Sequence, residues 1–234
     1  IGHIDQDYTS HGLEGPNHEA NAYYLGKLGN MKIDLNLTAL WKKDAGRKQS
    51  KEVSSQLQSQ NITTHNEQKN HLWAGKLILS YPLWKGTLNV GTEFTSTYSF
   101  GQYSNDGGVV SNSLTEVKER NTAGFAEYEF AFGNFSANAG LRYEHVKSNY
   151  YEAGIYQSGL SRRYADWFPS LSLAWQKGKW GVQGSYVCKI ARPSYNWLRN
   201  EMQYDNRYFY EGGNPYLRPE RVQSVSLSGS YSWL

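Results

Sequence analysis

Residues 86–100 read GTLNVGTEFTSTYSF. Leu88, Val90, Thr92, Phe94, Ser96, Tyr98 and Phe100 fall on one side of an extended chain. Asn89, Gly91, Glu93, Thr95 and Thr97 fall on the other. Side chains of a strand alternate between its two faces, so this pattern predicts a strand with one apolar, ring-bearing face and one polar face. The stretch is fifteen residues long. Soluble sheets use about five or six, and a tilted strand crossing a bilayer needs about 9–11.

The same alternation recurs outward in both directions. Phe135, Ala137, Ala139, Leu141 and Tyr143 oppose Ser136, Asn138, Arg142 and Glu144. Trp167, Pro169, Leu171, Leu173 and Trp175 are in phase, as are Trp180, Val182, Tyr186, Cys188 and Ile190. Val225, Leu227, Tyr231 and Trp233 share a face, and so do Ile33, Leu35, Leu37, Ala39 and Trp41. Stretches 19–28 and 71–82 read as strands of undetermined facing, because Leu77, Ile78 and Leu79 are consecutive and fit either phase. About nine strands are predicted, over 20–28, 31–43, 69–82, 86–100, 116–132, 134–148, 163–176, 179–193 and 222–234.

The connections alternate in length. Tight turns are expected at Gly29-Asn30, Leu83-Trp84-Lys85-Gly86, Gly133-Asn134 and Gln176-Lys177-Gly178-Lys179, and long polar loops near 44–68, 101–115, 149–162 and 194–221. This order puts every tight turn at one end of the sheet, as in outer-membrane barrels with short periplasmic turns and long extracellular loops. Rings crowd the tight turns: Trp84, Phe130, Phe132, Phe135, Trp175, Trp180 and Trp233. A second group, Tyr98, Phe100, Tyr143, Tyr150, Tyr151 and Trp167, lies toward the other ends. Two such levels suit the aromatic girdles of a membrane barrel.

Composition supports this reading. The chain has 234 residues, a mean hydropathy of −0.71 and an aromatic share of 15%. A disordered chain is poor in aromatics, whereas a barrel buries rings against lipid and keeps a wet lumen. No run of about 18 apolar residues occurs, which excludes a transmembrane helix, and no signal peptide is legible. The chain opens at Ile1 in a polar, loop-like stretch, and it reads as a fragment or a processed product. Nine hairpin-connected strands cannot close with antiparallel pairing throughout, so an open curved sheet is expected. Cys188 is the single cysteine and can form no internal disulfide. Lys and Arg are scattered within a net charge of +3, which gives no nucleic-acid footprint.

Segments 191–200, ARPSYNWLRN, and 211–220, EGGNPYLRPE, resemble the barrel of TonB-dependent receptors. A strand there runs into an Arg-Pro-Ser-Tyr type motif, here Arg192, Pro193, Ser194 and Tyr195. The long loop then closes on Gly213, Asn214, Pro215, Leu217, Pro219 and Glu220. Segments 17–29 and 135–148 are similar to the same family. The resemblance implies an all-β, antiparallel, up-and-down transmembrane barrel of which 1–234 would be one partial domain of a larger, 22-stranded whole. It implies uptake of a scarce ligand: an iron chelate, a vitamin or a glycan. It also implies as partners outer-membrane lipid, a periplasmic energy-coupling protein acting through a plug domain, and a surface lipoprotein. No cofactor is implied.

Pro193, Pro215 and Pro219 fix φ and remove ladder donors, so they belong at strand ends. Gly212 and Gly213 are expected to supply positive φ before Asn214. These motif residues read first as a loop hinge. Tyr195, Trp197, Tyr204, Tyr208, Phe209 and Tyr210 are the candidates for meeting a ligand, because binding loops favour rigid rings. Glu93, Glu127, Glu129, Arg142, Glu144 and Lys189 share the lumen side by parity and read as a hydrated wall rather than an acid–base pair. His3, His11 and His18 lack tight metal-ligand spacing. No nucleophile elbow, phosphate loop or CxxC occurs, and the chain reads as a non-enzyme. Two alternatives stand beside the receptor: a secreted or surface all-β module that binds glycans, and a barrel without a transport role. In a soluble sandwich the in-phase rings would face each other in a core. In a barrel they would face lipid.

Overall fold

A computed structural model describes residues 4–55, 57–195, 197–200 and 202–233. Twelve strands carry the described chain, and no helix occurs among these residues. They are β1 (Ile4–Leu28), β2 (Met31–Ser54), β3 (Gln60–Leu83), β4 (Gly86–Asn105), β5 (Ser113–Phe132), β6 (Phe135–Glu152), β7 (Ile155–Tyr156), β8 (Arg162–Lys177), β9 (Trp180–Ala191), β10 (Met202–Asn206), β11 (Phe209–Gly212) and β12 (Glu220–Tyr231). One sheet runs β1-β2-β3-β4-β5-β6-β8-β9-β12, with β7 folded onto β6; β10 and β11 form a separate hairpin. All pairings are antiparallel. The sheet is open, with β1 and β12 each paired on one side among the described residues.

The four tight turns stand where the sequence puts them, and each is a two-residue connection. Gly29, Trp84, Gly133 and Gly178 occupy the first turn position with φ of 59°, 50°, 58° and 56°. Positive φ there suits the primed turns that match strand twist. Glycine adopts it freely, whereas Trp84 does so against its Cβ.

The outer ends depart from expectation. The loops expected over 44–68 and 101–115 are largely strand, since β2 and β3 pair out to Glu52↔Gln60 and β4 pairs with β5 out to Tyr103↔Ser113. The opening stretch is also strand, because β1 pairs with β2 from Ile4 onward. The expected loop 149–162 contains a tight hairpin at Ala153-Gly154 between β6 and β7. Beyond the second ring level the outward face turns polar, as with Arg47, Gln49 and Lys51 on β2, so the alternation of an apolar with a polar face is lost.

Register sorts the faces. Leu77 and Leu79 lie opposite Leu35 and Ile33, which places Ile78 on the other face. On one face Leu141, Leu171, Leu173, Val90, Phe94 and Val182 are exposed, as expected of lipid-facing positions. Near the turns this face carries Trp84, Phe132, Phe135, Trp180 and Trp233, all exposed, with ring contacts Phe135–Trp175 and Trp180–Tyr231. A second ring level follows in Trp41–Trp73, His71–Tyr98 and Tyr143–Trp167. Trp175 and Trp167 are eight residues apart, as are Phe135 and Tyr143. At about 3.3 Å per residue and a tilt of about 40° that spacing is about 20 Å, close to the apolar band of a barrel. Tyr150 departs from the expected outer ring level, because it is buried on the opposite, inner face.

The inner face is polar and bridged. Arg142 on β6 reaches Glu93 on β4 at 3.2 Å and Glu144 at 2.6 Å. Asn138 donates to Glu127. Phe125 lies across β4 at Gly91, where an added Cβ would sit 2.3 Å from the ring. The apolar residues that are buried on this face, such as Ile62, Val117 and Val146, cluster in its outer half.

Candidate functional site: a loop folded across the inner wall

Residues 192–219 leave β9, cross the inner face and return to β12. The crossing can be followed by its contacts. Arg192 donates to Glu144 on β6, and the Tyr195 hydroxyl donates to Glu119 on β5 at 3.2 Å. Asn200 donates to Glu152 at 3.3 Å. The Tyr204 amide donates to the Tyr103 hydroxyl on β4 at 3.0 Å. The β10–β11 hairpin ends against the β2–β3 hairpin, where Lys48 pairs with Asp205 and Arg207 donates to the Gln58 carbonyl at 2.7 Å. On the return, the Arg162 guanidinium donates to the carbonyls of Pro215 and Leu217.

Glu52 is the anchor of this arrangement. Its carboxylate is 1% exposed and accepts from the Tyr204 hydroxyl, from Gln60 Nε2 at 2.9 Å, and from the Arg207 amide and Nε at 3.1 and 3.2 Å. A buried carboxylate is tolerated when it is both paired and hydrogen-bonded. Glu52 lies eleven residues past Trp41, well beyond the ring level that bounds the membrane. Burial alone would raise its pKa. The hydrogen bonds from Tyr204, Gln60 and Arg207 together outweigh burial and hold it below the usual carboxylate range. Burial, then the Glu52 hydrogen bond and charge, push the Tyr204 hydroxyl up. Burial, then the Glu119 charge, do the same to Tyr195.

The six ring candidates therefore divide. Tyr195 and Tyr204 fasten the loop, and Tyr204 also stacks edge-on to Tyr210 at 5.6 Å. Trp197, Tyr208, Phe209 and Tyr210 are exposed, with Tyr208 at 75% on the hairpin tip. An open recess of about 390 Å³ lies between the stems of the loop, lined by Trp197, Arg199, Gln203, Glu211 and Asn214. One exposed ring beside a cation, a carboxylate and two amides can stack on a flat ligand and hydrogen-bond its edge. Asn196 and Glu201 lie outside the described residues.

The motif residues lie where the loop leaves and rejoins the sheet. Pro193 and Pro219 flank the ends of β9 and β12, and Glu220 opens β12 opposite Ala191. The Asn214 amide donates to the Trp197 carbonyl at 2.6 Å, and the Leu217 amide donates back to Asn214. The glycine reading needs correction. Neither Gly212 nor Gly213 has positive φ. An added Cβ at Gly213 would sit 2.4 Å from the Arg199 carbonyl oxygen and 2.8 Å from that of Trp197, so close backbone approach is what excludes a side chain. Ser194 accepts, through its carbonyl, the Trp197 amide. The sequence reading missed Glu52, Gln60, Tyr103, Asp205 and Arg207, which hold the loop, and Tyr216, which is exposed. Of the three N-terminal histidines weighed as metal ligands, His3 lies outside the described residues, and His11 and His18 sit on β1 opposite Arg47 and Trp41.

The model of the outer membrane protein beta-barrel family matches residues 27–234. No curated protein sequence matches the chain. Among solved structures, the ferric citrate transporter FecA in its unliganded form is similar, with 13% identity and a TM-score of 0.50, over 86% of this chain and 32% of that one. The alcaligin outer membrane receptor FauA from Bordetella pertussis has 10% identity and a TM-score of 0.48, over 99% of this chain and 41% of that one. The chain thus spans about a third of FecA and two fifths of FauA. A soluble sandwich is excluded, because the in-phase rings lie on one outward face of a single sheet.

Proposed function

Since the chain belongs to the outer membrane protein beta-barrel family and so stands in the outer membrane, we propose that it is part of the wall of an energy-coupled receptor of the TonB-dependent kind. The loop 192–219 takes part in capturing the ligand. One observation carries this reading: the loop is docked over the inner wall by buried polar anchors, yet Trp197, Tyr208, Phe209 and Tyr210 remain exposed. Docking lowers the ordering cost of binding, because the rings are held before the ligand arrives. The recess beside Trp197 suits a polar ligand with a flat face, such as a glycan or a chelate. The ligand would reach the periplasm with energy supplied through a plug domain and a periplasmic coupling protein, and a surface lipoprotein would assist capture.

The test is Tyr208→Ala with Tyr210→Ala, and separately Trp197→Ala, in the whole receptor. Ligand binding should weaken by about tenfold or more for a lost stacking ring while barrel assembly stays normal. Unchanged affinity in both variants would leave the loop as a fixed part of the wall.

A further inference from the structure

On the lipid-side face, Arg120 on β5 pairs in register with Lys147 on β6, and Lys147 pairs with Arg163 on β8. Three cations thus stand side by side on adjacent strands, all exposed. Directly opposed cross-strand residues have Cβ atoms about 4.5–5.5 Å apart, and like charges so placed destabilise a sheet unless something neutralises them. Among the described residues none of the three makes an ion pair. Some other cations on the same face are paired. Lys43 and Lys69 share Glu67, and Lys118 pairs with Glu116.

The row has a defined height. Along β6 and β8 the outward face passes from Leu141 and Leu171 to the ring pair Tyr143–Trp167, then His145 and Ala165, then Lys147 and Arg163. Four residues separate Trp167 from Arg163, a rise of about 10 Å for a strand tilted by about 40°. Rings mark the apolar–polar boundary, and long cationic side chains bend back toward it. The three head groups therefore reach the headgroup layer of the outer leaflet.

We propose that Arg120, Lys147 and Arg163 form a binding site for the phosphate groups of an anionic glycolipid in the outer leaflet. Arginine presents a planar fork that suits phosphate oxygens, and lysine adds a mobile point charge. The proposal rests on the outward facing of this wall and is independent of what the receptor takes up.

The experiment uses the whole protein extracted from outer membranes, washed free of lipid and mixed with micelles of diphosphoryl lipid A or of the same glycolipid after phosphatase treatment. Retained lipid is counted by native mass spectrometry. Each cation beside an anionic surface contributes a factor of about five, so the unaltered protein should prefer the diphosphorylated form by more than about tenfold. R120Q/K147Q/R163Q should reduce that preference to about twofold or less, and R120K/R163K should keep most of it. Heat-modifiable migration verifies assembly. Should the triple variant not assemble, R163Q alone, at the outer end of β8, should lower the preference by about fivefold. Absence of a preference in the unaltered protein, or an unchanged preference in assembled variants, would overturn the site. Displacement of the lipid by millimolar inorganic phosphate would overturn the assignment to a lipid.

Discussion

The Tyr204 hydroxyl donates to the Glu52 carboxylate, joining the loop to β2 across 152 positions of sequence. Arg207 completes the contact through its amide and its guanidinium. This anchor has a pH signature. The Glu52 pKa is lowered in the docked state, so its contribution is present above the free carboxylate value and is lost as pH falls through the docked value. The Tyr204 pKa is raised, so its contribution is present below the free phenol value and is lost as pH rises beyond it. Docking should hold between about pH 4 and about pH 10 and loosen outside that window. Amide hydrogen exchange over 202–212 measures it. Glu52→Gln should speed that exchange at pH 7, because charged hydrogen bonds worth about 1.5–3 kcal/mol each are weakened. Protection unaffected by the substitution would show that the hairpin is held elsewhere.

Leu173 and Ser172 are adjacent in β8 and face opposite sides. Leu173→Arg should impair assembly into bilayers by about 2–4 kcal/mol if it sits near the midplane. Ser172→Arg should fold normally, because Ser172 lies on the hydrated face beside Ser185 and Asn138. Folding yields in vesicles compare the two, and equal yields would reverse the facing.

β2 and β3 pair out to Glu52↔Gln60, so Ser59 lies at the outer end of that hairpin. An epitope inserted beside Ser59 should be detected by antibody on intact cells. Detection confined to permeabilised cells would invert the topology, placing the ring-lined tight turns outside.

Gly213→Ala should open the loop without touching the barrel. Its Cβ would meet two backbone carbonyls that cannot move independently. Overpacking of this kind costs about 1–3 kcal/mol. Limited proteolysis should cut within 195–217 faster, while heat-modifiability stays the same. A cleavage rate equal to that of the unaltered protein would mean the stems can part at little cost.

Alternation made the membrane portion legible. The four expected tight turns were found, though not the one at Ala153-Gly154, and the wall residues Glu93, Glu127, Glu129, Arg142, Glu144 and Lys189 share the inner face by register. Past the second ring level the signal fails for a physical reason. Arg47, Gln49 and Lys51 face outward and Lys48, Ser50 and Glu52 inward, so both faces are polar and the strand reads as loop. Tyr150 was placed with the outer rings because a tyrosine suits a girdle as well as a wall; only its pairing with Val117 distinguishes them. In the loop the aromatic candidates stood out, but their division into fasteners and exposed rings depends on Glu119 for Tyr195 and on Glu52 and Gln60 for Tyr204. Nothing local in the sequence ties Glu52 or Gln60 to Tyr204 or Arg207.

Strand pairing and loop docking also differ in when they can form. Each strand of the sheet up to β6 pairs with the next along the chain, so most of the wall can grow hairpin by hairpin with short closures. The Glu52 carboxylate has no such local route to Arg207, since seven strands of wall must first be in place and curved to bring β2 within reach of the β10–β11 hairpin. The docking of this loop is thus a late kinetic event. Its protection from exchange or protease should lag behind strand formation in a refolding time course, reporting when the wall has acquired its final curvature.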